Sequence, residues 1–268
     1  MYIKYIYKMD AHVSLKERMK EYENTDTKLD NSLPIVVRVD GKKFSTYTRG
    51  FDKPYDLRIH NAMRQTCEDI MREFHPAFVY SQSDEISFML LPGSTGEMFA
   101  DGRVVKISSL AAGFTSSRFN LHIMKQDMSG LKDNVVDRIQ DARAYFDGRA
   151  FNLPENEVLN YIVFRGHHDA RRNSILNYAY SKFPQTELHK LNTIQINEKL
   201  MLNGHDWESL PEWYKLGFFY KFENNRVTGV NPMTNIEYAG VRSVPKMFNR
   251  EIIKWTETDN DWLFAKQI

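Results

Sequence analysis

Residues 78–90 read Phe78-Val79-Tyr80-Ser81-Gln82-Ser83-Asp84-Glu85-Ile86-Ser87-Phe88-Met89-Leu90. Two short β-prone apolar runs flank a polar, acidic tip, which is the pattern of a β-hairpin. Upstream, Pro34-Ile35-Val36-Val37-Arg38-Val39 is a β-branched run that stops at Asp40-Gly41, a turn signal. Residues 144–151 form a further strand candidate containing Phe146-Asp147-Gly148-Arg149. Between these strands the apolar spacing is helical over residues 56–74 and 104–124, and residues 155–180 read as mostly helical. Ser14 followed by Glu17 is a capping-box pattern, and Leu15, Met19 and Tyr22 share one helical face behind it. Residues 24–32 and the Lys53-Pro54 step read as loops. The order strand, helix, hairpin, helix, strand, helix predicts an α+β fold with an antiparallel sheet covered by helices.

The chain has 268 residues, enough for one large or two small domains. At 42% hydrophobic and 26% charged residues it has the composition of an ordinary globular protein, which excludes disorder over most of its length. No apolar run approaches the roughly 20 residues that cross a bilayer. The single cysteine, Cys67, excludes an internal disulfide framework or a cysteine-based zinc cluster, and on a helix it reads as a small buried residue. With 36 basic and 35 acidic residues, any nucleic-acid surface must be local. Residues 1–11 alternate Tyr, Ile and Lys, lack a signal-peptide core, and read as a frayed tail or an edge strand. All four tryptophans, Trp207, Trp213, Trp255 and Trp262, fall in the last part of the chain, which suggests an appended region over 186–268 behind a main domain over 12–185.

Asp40 ends a strand, and Asp84 with Glu85 caps a hairpin. In an antiparallel sheet those positions can lie side by side. Carboxylates gathered there repel one another unless a cation neutralises them. Mg²⁺ suits the task, since it takes a few carboxylate oxygens together with substrate phosphates, and two such ions can stabilise the entering and leaving oxygens of a phosphoryl displacement. Gly41 could add its main-chain carbonyl. The bland alternative is that Asp-Gly merely turns the chain and Ser-Asp-Glu is a solvated loop. Arg38, Lys53, Arg149 and Ser83 lie near these tips and could grip phosphates, or serve as surface charges and turn formers. Arg171-Arg172-Asn173 is a basic step on a predicted helix, suited to RNA contact or to an exposed helical face. His167-His168-Asp169 reads as surface or capping residues. No P-loop, dinucleotide-binding glycine pattern or nucleophile elbow is present.

The motifs Arg38-Val39-Asp40-Gly41-Lys42-Lys43-Phe44, Phe51-Asp52-Lys53-Pro54-Tyr55-Asp56, Ser81-Gln82-Ser83-Asp84-Glu85-Ile86-Ser87-Phe88 and Phe146-Asp147-Gly148-Arg149 resemble, in order, the signatures of the histidine-tRNA guanylyltransferase superfamily. The stretch Asp169-Ala170-Arg171-Arg172-Asn173-Ser174-Ile175 resembles the guanylyltransferase-like branch, whereas eukaryotic members carry His-Ile-Asn-Asn-Leu-Tyr-Asn there. The resemblance implies a polymerase-type palm with a helical C-terminal extension, assembled as a homotetramer. It implies template-dependent 3′-to-5′ nucleotide addition at the 5′ end of tRNA, with ATP or GTP activating the 5′-monophosphate and an NTP 3′-hydroxyl attacking it. Two Mg²⁺ ions would be held by Asp40, Gly41 and Asp84, with Glu85 supporting or ligating. Triphosphates would contact Arg38, Lys42, Lys43, Phe44, Ser45, Lys53, Asp56, Ser83 and Arg149, and tRNA would meet Arg171, Arg172 and Asn173. A family histidine after the metal strand falls on Ser45. The alternatives are addition of a single G to histidine tRNA and, in a related class, a palm-type nucleotide cyclase. A cytoplasmic enzyme is expected, or a mitochondrial one if the source is a protist.

Overall fold

The structure is a computed structural model that describes residues 14–24, 26–93, 95–230, 232–249 and 257–265. Its elements are α1 (Leu15–Glu23), β1 (Ile35–Gly41), α2 (Phe44–Tyr47), α3 (Leu57–Phe74), β2 (Phe78–Gln82), β3 (Glu85–Leu90), α4 (Val104–Met124), α5 (Asp133–Gln140), β4 (Phe146–Asn152), α6 (Glu155–Val163), α7 (Arg171–Lys182), α8 (Gln185–Leu188), α9 (Thr193–Leu202), α10 (Glu212–Lys215), β5 (Phe218–Val230), β6 (Glu237–Phe248) and α11 (Glu257–Phe264). A π-helical turn over Phe164–Ala170 joins α6 to α7. The expected tail at 1–11, and Trp255, lie outside the described residues.

The six strands form one antiparallel sheet in the order β4-β1-β3-β2-β5-β6. Alternation along each strand sorts its side chains to two faces. Ile35, Val37 and Val39 of β1, with Ile86, Phe88 and Leu90 of β3, meet Met63, Cys67, Ile70 and Met71 of α3 and Ile107, Phe119 and Ile123 of α4. Phe78, Tyr80 and Met89 on the other face meet Val158 and Ile162 of α6, Phe219 of β5 and Leu263 of α11. A third cluster, Ile175, Tyr178, Ile196, Leu200 and Trp207, holds α7 and α9 together.

The α+β architecture expected from the strand and helix pattern is therefore present. The capping box at Ser14 and Glu17 forms, with both reciprocal hydrogen bonds. Cys67 is fully buried. The C-terminal region supplies helices α8 to α11, as a helical extension requires. It also supplies β5 and β6, which no sequence signal announced. β5 enters the sheet beside β2 through Gly217, whose backbone passes so close that a Cβ would lie 2.5 Å from the Ser81 carbonyl oxygen. The Tyr80 hydroxyl donates to the Leu216 carbonyl at 2.8 Å and ties the same junction. The C-terminal part thus continues the sheet that carries the hairpin.

Candidate active site

The hairpin tip is a two-residue turn, Ser83-Asp84, because Gln82 pairs with Glu85. Ser83 takes a left-handed φ of +56° there. β1 runs antiparallel to β3 with Asp40 opposite Glu85, so the end of β1 and the tip of the hairpin come together. The Gly41 amide donates to the Asp84 carbonyl at 3.2 Å and fastens them. Only glycine fits at position 41. A Cβ there would sit 2.8 Å from Asp84 Oδ2 and 2.5 Å from the Phe44 ring. The Asp84 carboxylate therefore lies against the Gly41 backbone.

Both aspartates are half-buried. Burial pushes the Asp84 carboxyl up to about 6, and the neighbouring Asp40 charge pushes the same way, against its own amide, the Ser83 hydroxyl and Arg38. Burial also raises Asp40, helped by Asp147 across β4, while Arg38, Arg149 and Arg165 pull it down. Two coupled carboxylates held in this state are short of positive charge. Among the described residues no three His, Cys, Asp or Glu side chains form a ready metal cluster. Asp40, Asp84 and the Gly41 carbonyl together still suit a hard divalent cation that keeps water and phosphate as its other ligands.

Asp84 opens into a cleft of about 560 Å³, within the usual size of a small-molecule site. Gly41, Lys43, Phe44, Ser45, Lys53, Asp56 and Ser83 line it as well. Lys43 and Lys53 are exposed at its wall. Phe44 is buried and packs at tilted and edge-on angles among Tyr47, Phe119 and Phe146, so it supports the wall from the core. Asp56 caps α3. Burial acts to raise its carboxyl, but hydrogen bonds from the Arg58 side chain and from the Asp52 and Arg58 amides outweigh this and hold it below the ordinary range. Its oxygens accept hydrogen bonds that shape the Asp52–Arg58 loop at the cleft wall.

Asp40 and Arg38 share the opposite face of β1 and do not line the cleft. On that face Glu85 is gripped by two guanidinium groups, those of Arg38 and Arg165, and Arg165 also pairs with Asp169. Glu85, expected either to support the metal site or to ligate, has its charge neutralised by these two guanidinium groups. Arg38 is likewise taken by Glu85. Arg149 is exposed and lies 4.0 Å from Asp147. Lys42 is exposed outside the cleft, its amide donating to the Tyr145 carbonyl at 2.8 Å. Arg171, Arg172 and Asn173 sit at the start of α7 and are not among the residues that line the cleft. Arg171 lies over the Trp207 ring at 5.1 Å, and Arg172 is 3.5 Å from Asp169. Sequence reasoning missed one wall altogether: Asn177, Tyr180, Ser181, Trp213, Tyr214 and Phe218 come from α7 and the C-terminal region. The tryptophan-rich composition of that region was the only available signal.

Comparison with known proteins agrees with this geometry. The tRNAHis guanylyltransferase (Thg1) family model matches residues 16–154. An uncharacterized protein, R259, of Acanthamoeba polyphaga mimivirus is 29% identical over 255 residues, covering 89% of this chain and 87% of that protein. A probable tRNA(His) guanylyltransferase of Drosophila melanogaster is 28% identical over 219 residues, covering 75% of this chain and 71% of its own. Among solved structures, a bacterial tRNA(His) guanylyltransferase (Thg1)-like protein in complex with ATP superposes with a TM-score of 0.77 at 30% identity, covering 94% of this chain and all of that one. The same description in complex with GTP gives a TM-score of 0.71 at 29% identity, over 94% of this chain and all of that one.

Proposed function

This chain belongs to the tRNAHis guanylyltransferase family of nucleotidyltransferases, and from that premise we propose that it adds nucleotides in the 3′-to-5′ direction to the 5′ end of tRNA, directed by the opposing strand. The observation that carries the reading is the Asp84 carboxylate seated against Gly41 at the mouth of a cleft of about 560 Å³, next to Asp40. The likeness to Thg1-like proteins in complex with ATP and with GTP over nearly the whole chain supports ATP and GTP as substrates of this cleft.

In the proposed reaction the 5′-monophosphate of tRNA attacks the α-phosphate of ATP, and pyrophosphate leaves. The 3′-hydroxyl of an incoming NTP then attacks the activated 5′ phosphate, and AMP leaves. Asp40, Asp84 and the Gly41 carbonyl would hold two Mg²⁺ ions, which when bound neutralise phosphate charge and favour the attacking and leaving oxygens. Lys43 and Lys53 offer compact positive charges to the triphosphate from the cleft wall. Ser83 presents its hydroxyl at the tip. Arg38 and Arg165 fix Glu85 and, through it, the strand pairing behind Asp84. Catalysis of this kind rests on positioning and electrostatics, with little covalent work asked of the protein. Arg171, Arg172 and Asn173 are proposed to meet tRNA, and the enzyme to act as a homotetramer.

The test is one incubation of the purified protein with Mg²⁺, ATP, all four NTPs and 5′-truncated tRNAs. Extension opposite each template base supports repair. Addition of G alone, to histidine tRNA alone, would make the chain a G-adding enzyme of the same family. Failure to join any nucleotide to any of these RNAs refutes the proposal, and cyclic products from GTP without RNA would replace it with a cyclase.

A further inference from the structure

The cleft is larger than a triphosphate needs, and much of its lining is aromatic. His60, one turn into α3 from Asp56, stacks on Trp213 with ring centroids 3.7 Å apart and planes at 18°. Tyr55 and Trp213 meet edge to face with centroids 5.0 Å apart, Tyr55 lies 5.2 Å from Tyr214, and Phe218 and His60 meet at right angles at 5.4 Å. All five rings line the cleft. Trp213, Tyr214 and Phe218 come from beyond residue 154, where the family match ends.

We infer that the C-terminal extension supplies the nucleobase wall of the cleft, and that Trp213, stacked on His60, is the residue that binds the base, purine in preference to pyrimidine. The inference rests on the cleft being a nucleotide site, as proposed above, and it adds which part of the chain reads the base.

Three features support the assignment. The aromatic wall is held rigid from behind. The Tyr214 hydroxyl donates to the Ser174 carbonyl and the Trp207 indole N–H to the Ser174 hydroxyl, each at 3.1 Å, and the buried Ser174 hydroxyl also reaches the Lys215 carbonyl at 3.1 Å. Gln82, one residue from the acidic tip, donates to the Tyr214 carbonyl at 3.4 Å, so wall and tip are fixed to each other. The shelf is also electrically neutral. Burial, with Arg64 nearby, lowers His60 to about 4, so the ring is uncharged at neutral pH and stacks as a flat polar surface. Finally, a stack of this kind offers π-surface that a base can cover whatever its hydrogen-bonding edge, and the larger purine face gains more from it.

Tryptophan emission reads this directly. ATP and AMP should quench the emission of the wild-type protein, and inorganic triphosphate should not. Trp213→Phe should lose that quenching while keeping most of the ATP affinity, because a phenyl ring still stacks. Trp213→Ala should weaken ATP binding by roughly 5- to 100-fold, the range for one lost base–aromatic stack. It should leave the affinity for inorganic triphosphate within about threefold of wild type, which also shows that the variant is folded, and UTP should lose less than ATP. Equal ATP affinity in wild type and Trp213→Ala, or equal loss of inorganic triphosphate, overturns the assignment of Trp213 while leaving the nucleotide site in place. A wild-type protein that binds neither ATP nor inorganic triphosphate removes the nucleotide site and this inference together.

Discussion

Replacing Asp84 by Asn should make the metal-free protein more stable at neutral pH, and less active. The Asp84 carboxyl is raised from its ordinary 3.8 to about 6, first by burial and then by Asp40. A carboxyl whose folded value lies above its unfolded one favours the fold while protonated. Its contribution is complete below about pH 4 and is lost as pH climbs through about 6. At 1.36 kcal/mol per pH unit the gap corresponds to about 3 kcal/mol of destabilisation at pH 7.5, an upper bound because water reaches part of the site. Asp84→Asn keeps the shape and removes the charge. For a chain of this size, the difference should appear as a rise of up to roughly 6–12 °C in Tm. The assay is thermal unfolding of both proteins in EDTA at pH 7.5 and pH 4.5. Asp84→Asn should melt higher at pH 7.5, and the two should converge at pH 4.5. Added Mg²⁺ should raise the Tm of the wild type and leave the variant nearly unchanged, since only a site that binds the ion gains from it. A variant that melts no higher than wild type at pH 7.5, or a difference that persists at pH 4.5, refutes the claim that two crowded carboxylates meet at this tip.

Gly41→Ala should cut the transfer rate by about 10²-fold, since the new methyl pushes Asp84 or Phe44 aside by a fraction of an ångström to an ångström; single-turnover kinetics at saturating Mg²⁺ checks it. Arg165→Ala breaks a half-buried ion-pair chain with Glu85 and Asp169 and should cost up to about 3–5 kcal/mol in urea unfolding, the lower part of that range applying because Arg38 still pairs with Glu85. Arg172→Ala, if Arg172 meets a tRNA phosphate, should lower the slope of log affinity against log salt by about 1, as read by filter binding across a salt series.

The strands and long helices were legible because local pattern specifies them. The β-branched run Ile35–Val39 and the two runs around the Ser83-Asp84 turn could form little else, and Val104–Met124 is found where the spacing put it. The acidic tip was legible for the same reason, since polar carboxylates breaking apolar strands stand out. Glu85 was not. It shares the tip with Asp84, but pairing puts its side chain on the other face, where Arg38 and Arg165 take it. β5 and β6 were not legible either. Phe218–Val230 mixes buried aromatics with exposed polar residues, and it becomes a strand because β2 has an open edge beside Gly217.

Read alone, then, the chain determined an antiparallel sheet with two aspartates at its tips and motifs in an order that names a family; that Gly41 has no room for a side chain emerged only from the packing of Asp84 and Phe44 around it. Which carboxylate is free and which is neutralised, and which distant rings wall the cleft, were decided only in three dimensions. Those outcomes depend on contacts between segments far apart in sequence, and a side chain's charge state and neighbours follow from where the fold carries it, not from the residues on either side.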